Sequence, residues 1–309
     1  MTEATAESSE DAGLLFDAYC AAPERYWPER SQRQAQKLAK HLDRVAQTLQ
    51  SRRTLVPRTM VELARRRAGA RRPTVYLVNI GSSGSHWLEE MLVRGAGMLG
   101  AGEVYLPPSM DDPVSGLAPR EAEIFIDALH VLHAGGVAPD EAASVINSQH
   151  SVRPQAFSAD TDARHVLLLR DPIDVCLSRT FRKDEYRQDV APQAEDVAYL
   201  RSNVAKVKSF LTAAQRQDFD LVIRYEDLLV DPVPSLMAVS TLTSTPTQEA
   251  RLRQVAEQQS AEQLTASGGA AATNLFTGRR RRYPASAERL AHRELGPLRA
   301  SFGYPPPHD

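Results

Sequence analysis

The chain has 309 residues, 42% apolar and 25% charged, with a formal net charge of −2. This balance excludes a wholly disordered or fibrous chain, and the length suffices for one large α/β domain or two smaller ones. No apolar run reaches about 18 residues, so no membrane-spanning helix is expected, and the two cysteines, Cys20 and Cys176, exclude a disulfide framework.

Residues 1–13 are acidic and rich in small side chains and read as a disordered tail. They lack the basic and apolar regions of a secretory leader, so a cytoplasmic protein is expected. Residues 14–72 read as a helical segment packed on the outside of a core. Within it, 31–52 places Leu38, Leu42, Val45 and Leu49 at helical spacing. Arg65, Arg66, Arg67, Arg71 and Arg72 form a basic cluster, read as a solvated face. A nucleic-acid role is not expected, because no aromatics interleave with the arginines.

The remainder, 73–309, reads as one α/β domain. Thr74 to Ile80 is apolar at nearly every position, the pattern of a strand buried on both faces. Ala143–Asn147, His165–Leu169 and Leu221–Ile223 share that character. Helical patterns at 86–98, 120–134, 172–183 and 194–216 lie between them. Strands alternating with helices predict a central parallel sheet flanked by helices. Pro107, Pro108 and Pro113 mark a loop, and Gly268 and Gly269 a flexible segment before the arginine run 279–282.

Two stretches carry chemistry. Directly after the first strand comes Gly81-Ser-Ser-Gly-Ser-His-Trp-Leu88, which then enters a helix. A small-residue turn leading into a helix N-terminus offers free N–H groups to an anion, and Ser83, Ser85 and His86 add side-chain donors. The turn is not GxxxxGK followed by Ser or Thr, nor GxSxG, nor GxGxxG. The second stretch is Arg170-Asp-Pro-Ile-Asp-Val-Cys-Leu-Ser178. Arg170 ends a buried strand, where open α/β sheets bind ligands. Asp171 fits an N-cap and Pro172 the first helical position, which carries the polar stripe on to Ser178. Arg170 either pairs with Asp171 or Asp174, or faces a phosphate.

Together with Arg224-Tyr-Glu-Asp-Leu228, these stretches resemble the sulfotransferases that use 3′-phosphoadenylyl sulfate. That family carries a turn of the form Lys/Arg-Ser-Gly-Ser/Thr-Thr-Trp-Leu, matched by Ser82 to Leu88 with Ser82 in place of the cation and His86 in place of the second threonine. It also carries an Arg-Asp/Asn-Pro-x-Asp-Val-x-x-Ser segment, matched by Arg170 to Ser178. The matches run in family order across roughly half the chain, and Phe302-Gly-Tyr304 resembles the closing segment. The resemblance implies the P-loop-like sulfotransferase architecture. It also implies that Ser82, Ser83, Gly84, Ser85 and His86 hold the 5′-phosphosulfate, Arg170 and Ser178 the 3′-phosphate, and Trp87 and Tyr225 the base. Arg279 and Arg280, within the run 279–282, then resemble a basic lid.

The implied reaction moves a sulfuryl group from 3′-phosphoadenylyl sulfate to a hydroxyl or amine, with no metal. His150 stands where many soluble members carry a histidine base in a Lys-Thr-His sequence, here Ser148-Gln-His150. The acceptor is a small molecule, carbohydrate or lipid, at loops 107–119 and 184–199, with Tyr186 and Tyr199 as possible contacts. Ser82 and Ser148 replace the usual cations. Arg153, Arg182, Lys183, the 279–282 run or a protonated His86 are the substitutes the sequence offers. An alternative therefore stands beside the enzyme: a sulfotransferase-like module that binds the nucleotide without turnover. A nucleotide kinase with a degenerate P-loop would require metal. Oligomeric state is not legible.

Overall fold

The computed structural model describes residues 11–137, 140–152, 157, 160–181, 196–260, 263 and 283–305. Five parallel strands form one sheet in the order β2-β3-β1-β4-β5, where β1 is Val75–Val78, β2 Leu99–Gly102, β3 Val145–Gln149, β4 Arg164–Leu169 and β5 Leu221–Arg224. Every residue of β1 is buried, as expected for the central strand of a sheet covered on both faces.

Side chains alternate across the sheet with the strand period of two. Val75, Leu77, Ile146, Val166, Leu168 and Ile223 pack on one face against α4 (Ser85–Ala96), α10 (Val233–Leu242) and α11 (Glu249–Gln258). Tyr76 and Val145 face the other way, into a layer formed by α1 (Ala12–Ala21), α2 (Gln32–Thr48), α3 (Val56–Arg67) and α6 (Pro119–His133). Val78, Leu167 and Leu169 share that second face. They pack against α7 (Pro172–Phe181), α8 (Asp196–Ala214) and α12 (Ala285–Ser301). Two short helices, α5 (Asp111–Ser115) and α9 (Tyr225–Val230), complete the set among the described residues.

Several expectations shift. Ala12 and Gly13 open α1 instead of ending a tail, with Asp11 capping the Gly13 N–H at 2.7 Å; residues 1–10 lie outside the described set. Pro113 lies inside α5 and not in an irregular loop. The third strand runs two residues further than expected, and its polar end, Ser148 and Gln149, is buried because neighbouring residues satisfy it: Ser148 Oγ accepts from Asn79 Nδ2, and Gln149 Nε2 donates to the Val104 carbonyl. β2 was not expected, since Leu99-Gly-Ala-Gly102 has no β-branched residue. The arginine cluster is no solvated face throughout. Arg67 is fully buried, donating to Asp127 Oδ2 at 2.8 Å and to the Ala143 carbonyl at 3.0 Å. Arg71 is buried against Asp160 at 2.9 Å, while Arg66 pairs with Glu141 at the surface. These pairs fasten the N-terminal helices to α6 and the sheet.

Candidate functional site

The turn after β1 is held open by its own backbone. Gly81, Ser82 and Gly84 all have positive φ, at 75°, 57° and 87°. For Ser82 this is a costly conformation that the surroundings must impose. Buried Asn79 supplies part of that constraint. Its Oδ1 accepts the Gly81 N–H at 2.8 Å, and its Nδ2 donates to the Leu77 carbonyl and to Ser148 Oγ, each at 2.9 Å. Ser83 Oγ donates to the Gly81 carbonyl. Gly84 is the N-cap of α4 and offers no side-chain cap, so the first turn keeps its dipole and N–H groups available to an anion. Ser82 Oγ is buried with no hydrogen-bond partner among the described residues.

Arg170, at the end of β4, approaches the turn. Its Nη1 donates to the Ser82 carbonyl at 2.9 Å, and its guanidinium lies 4.7 Å from the Tyr225 ring centre. Asp171 is engaged elsewhere: it caps the Ile173 N–H at 3.0 Å and accepts Arg299 through 2.7 Å and 2.9 Å contacts. Tyr225 begins α9 and presses on the turn. A Cβ on Gly84 would come within 2.5 Å of the ring. Trp87 meets the Tyr225 ring edge-on at 6.2 Å and donates its Nε1 to the Gln259 carbonyl at 2.8 Å, so the indole is anchored at one end. Ser178 is buried on α7.

His150 follows β3 on the opposite flank of the turn. Its ring would stand 3.4 Å from a Cβ on Gly81, and its Nε2 lies 3.4 Å from Glu103 Oε1. His86 is exposed and shares that carboxylate at 3.7 Å. Ser82 to Trp87, Arg170, Tyr225 and His150 therefore converge on one turn. Arg279 and Arg280, with Arg153, Arg182, Lys183 and Tyr186, lie outside the described residues. Tyr199 is buried within α8.

Three residues at this site escaped the sequence reading. Asn79 could have been found, as a polar residue closing an otherwise apolar run. Glu103 follows a strand that was not recognised. Arg179 directly follows Ser178, but only the fold shows its Nη1 donating to the Ile80 carbonyl at 2.7 Å. Beside the turn, a cavity of about 740 Å³ is lined by Ile80, His150, Val152, Arg179, Lys206 and Phe210. On the far side of β2, burial pushes the Glu89 carboxyl up to about 7, against the lowering effect of the Gly102 N–H bonded to its Oε1.

Among the described residues no cluster of three or more His, Cys, Asp or Glu side chains is placed to hold a metal ion. None of their helices is long and apolar enough to cross a membrane.

No family model and no curated protein sequence matches the chain. Solved structures do. Mouse sulfotransferase SULT7A1 complexed with PAP aligns with a TM-score of 0.50 at 16% identity, over 74% of this chain and 85% of that one. The sulfotransferase domain from the curacin biosynthetic pathway aligns at 0.44 and 16% identity, over 77% and 100%. Sulfotransferase STF1 from Mycobacterium tuberculosis H37Rv aligns at 0.45 and 11% identity, over 92% and 91%. The five-stranded parallel sheet, flanked by helices and opening onto the turn after β1, is the sulfotransferase α/β fold.

Proposed function

We propose that the protein is a sulfotransferase that moves a sulfuryl group from 3′-phosphoadenylyl sulfate to a hydroxyl or amine. One observation carries this reading. The uncapped α4 turn is flanked by Arg170 and Tyr225 on one side and by His150 on the other. The mouse protein that shares the fold holds PAP, the desulfated form of that donor.

The donor supplies an activated sulfuryl group whose bond to the 5′-phosphate breaks as the acceptor attacks sulfur, leaving the electron pair on the phosphate oxygen. The chain's residues do the rest. The amides of 82–86, with Ser85 and His86, hold the 5′ group, while Arg170 and Ser178 hold the 3′-phosphate. Trp87 and Tyr225 flank the base. His150 takes the acceptor's proton, with Glu103 close enough to stabilise the imidazolium that forms. The cavity lined by His150 and Phe210 receives an acceptor, which can be a small molecule, a carbohydrate or a lipid.

Calorimetric titration with adenosine 3′,5′-bisphosphate tests the donor site. Wild-type protein should bind at micromolar concentration, and Arg170→Ala should lose about tenfold or more. A wild-type protein that does not bind overturns the reading. His150→Ala should keep that binding and lose turnover. One observation favours a second reading, a nucleotide-binding module without turnover: the turn itself contains no lysine or arginine. Unchanged turnover of an identified acceptor by His150→Ala would remove His150 from its role; no turnover by wild type across acceptor classes would favour the module.

A further inference from the structure

A phosphosulfate is an anion, and developing charge on its bridging oxygen needs a fixed positive group close by. The turn from Gly81 to His86 has no lysine or arginine. Arg170 is committed to the Ser82 carbonyl and the Tyr225 face. Arg179 is differently placed. Its Nη1 sits 2.8 Å from where a Cβ on Gly81 would stand, on the same residue that His150 flanks at 3.4 Å.

Among the described residues, neutral acceptors hold this guanidinium. Nη1 donates to the Ile80 carbonyl at 2.7 Å, and Nε reaches Asn203 Oδ1 at 3.5 Å. Asn203 is itself buried and fixed by donating to Thr180 Oγ1 at 3.1 Å. No carboxylate among the described residues pairs with Arg179, in contrast to Arg67, Arg71 and Arg299. The group is oriented by neutral dipoles and lines the same cavity as His150. That is the condition in which a cation is most useful to an incoming anion.

We propose that Arg179 is a ligand-contacting cation that holds the 5′-phosphosulfate end of the nucleotide, in place of a positive charge within the turn. The proposal rests on the donor reading above. It further assigns separate ends of one nucleotide to two arginines, Arg170 to the 3′ end and Arg179 to the 5′ end.

Two probes separate the ends without any acceptor: adenosine 3′,5′-bisphosphate, and adenosine 3′-phosphate, which has no 5′ group. Each is titrated into wild type, Arg179→Met, Arg179→Lys and Arg170→Ala. Arg179→Met should weaken the bisphosphate about tenfold and change adenosine 3′-phosphate less than about twofold. Arg179→Lys, which retains the charge, should recover most of the loss. Arg170→Ala should weaken both probes. Equal losses on both probes for Arg179→Met would mean that it only supports the turn and would overturn the proposal. So would unchanged bisphosphate binding, or an Arg179→Lys protein no better than Arg179→Met. Wild-type protein that binds neither probe sinks the donor reading itself, whereas the other adverse outcomes leave that reading standing.

Discussion

Gly84 concentrates the demands of the site in one residue. It has φ near 87°, caps α4 without a side chain, and lies beneath the Tyr225 ring. An alanine there would put its Cβ at 2.5 Å from that ring while also paying for a left-handed backbone. Tyr225 is buried and lies under Arg170, so it cannot move alone. Gly84→Ala should therefore cost about 1–3 kcal/mol of stability and also weaken nucleotide binding through displaced Arg170. Denaturant unfolding read beside calorimetry would show both losses; a variant with wild-type stability would refute the packing argument. Gly97 has a similar φ of 67° but nothing within 4 Å of its added Cβ, so Gly97→Ala serves as the control for backbone strain alone.

At the scale of elements, α12 and the residues after it fasten the back of the site. Arg299 grips Asp171 at the start of α7, and Tyr304 Oη donates to Glu226 at 3.0 Å. Glu226 also accepts the Asp171 N–H at 2.8 Å, and Arg224 donates to the Phe302 carbonyl at 2.7 Å. The ends of β4 and β5, which present Arg170 and Tyr225, are thus tied to one another through the C-terminal segment. Arg299→Leu should cost about 1–3 kcal/mol in thermal or chemical unfolding, because Asp171 is left half-buried without its cation. Loss of stability in this variant with nucleotide affinity unchanged would show that the clasp does not position Arg170. Much of this architecture was legible. The apolar runs gave four of the five strands, and the Asp171-Pro172 start of α7 follows from capping chemistry alone. β2 was hidden by its two glycines, and with it Glu103. Arg179 was hidden for another reason. Helical spacing tells which side a residue takes on its own helix, but not what the fold lays against it.

Across the whole molecule, buried titratable groups pull stability in opposite directions as pH changes. Burial pushes His130 down to about 3 and holds His133 well below its ordinary value. His41 falls to about 4, through burial and then the charges of Arg44 and Lys37. A folded-state pKa below the unfolded value of about 6.5 means that the unfolded chain takes up protons first, so these groups erode stability as pH falls below 6.5. Glu89 acts oppositely. Its raised value of about 7 lets the folded state bind a proton more readily, adding stability as pH falls from about 7 towards 4.5. Three histidines outweigh one carboxyl, so the protein should lose stability between pH 6.5 and 5. Glu89→Gln should steepen that decline, with its stability relative to wild type about 2–3 kcal/mol higher at pH 8 than at pH 5. Urea unfolding at the two pH values measures this, and a constant difference would mean that Glu89 does not titrate in this range. The strand order has its own consequence for biosynthesis. β1 pairs with β3 and β4, and β2 pairs with β3, so no strand pair of the described sheet can form before Val145 has been translated. Until then the nascent chain exposes the apolar edges of β1 with only helices to cover them. A ribosome that stalls ahead of that codon releases a polypeptide with a complete turn sequence and no sheet to set it, prone to aggregation rather than partly functional.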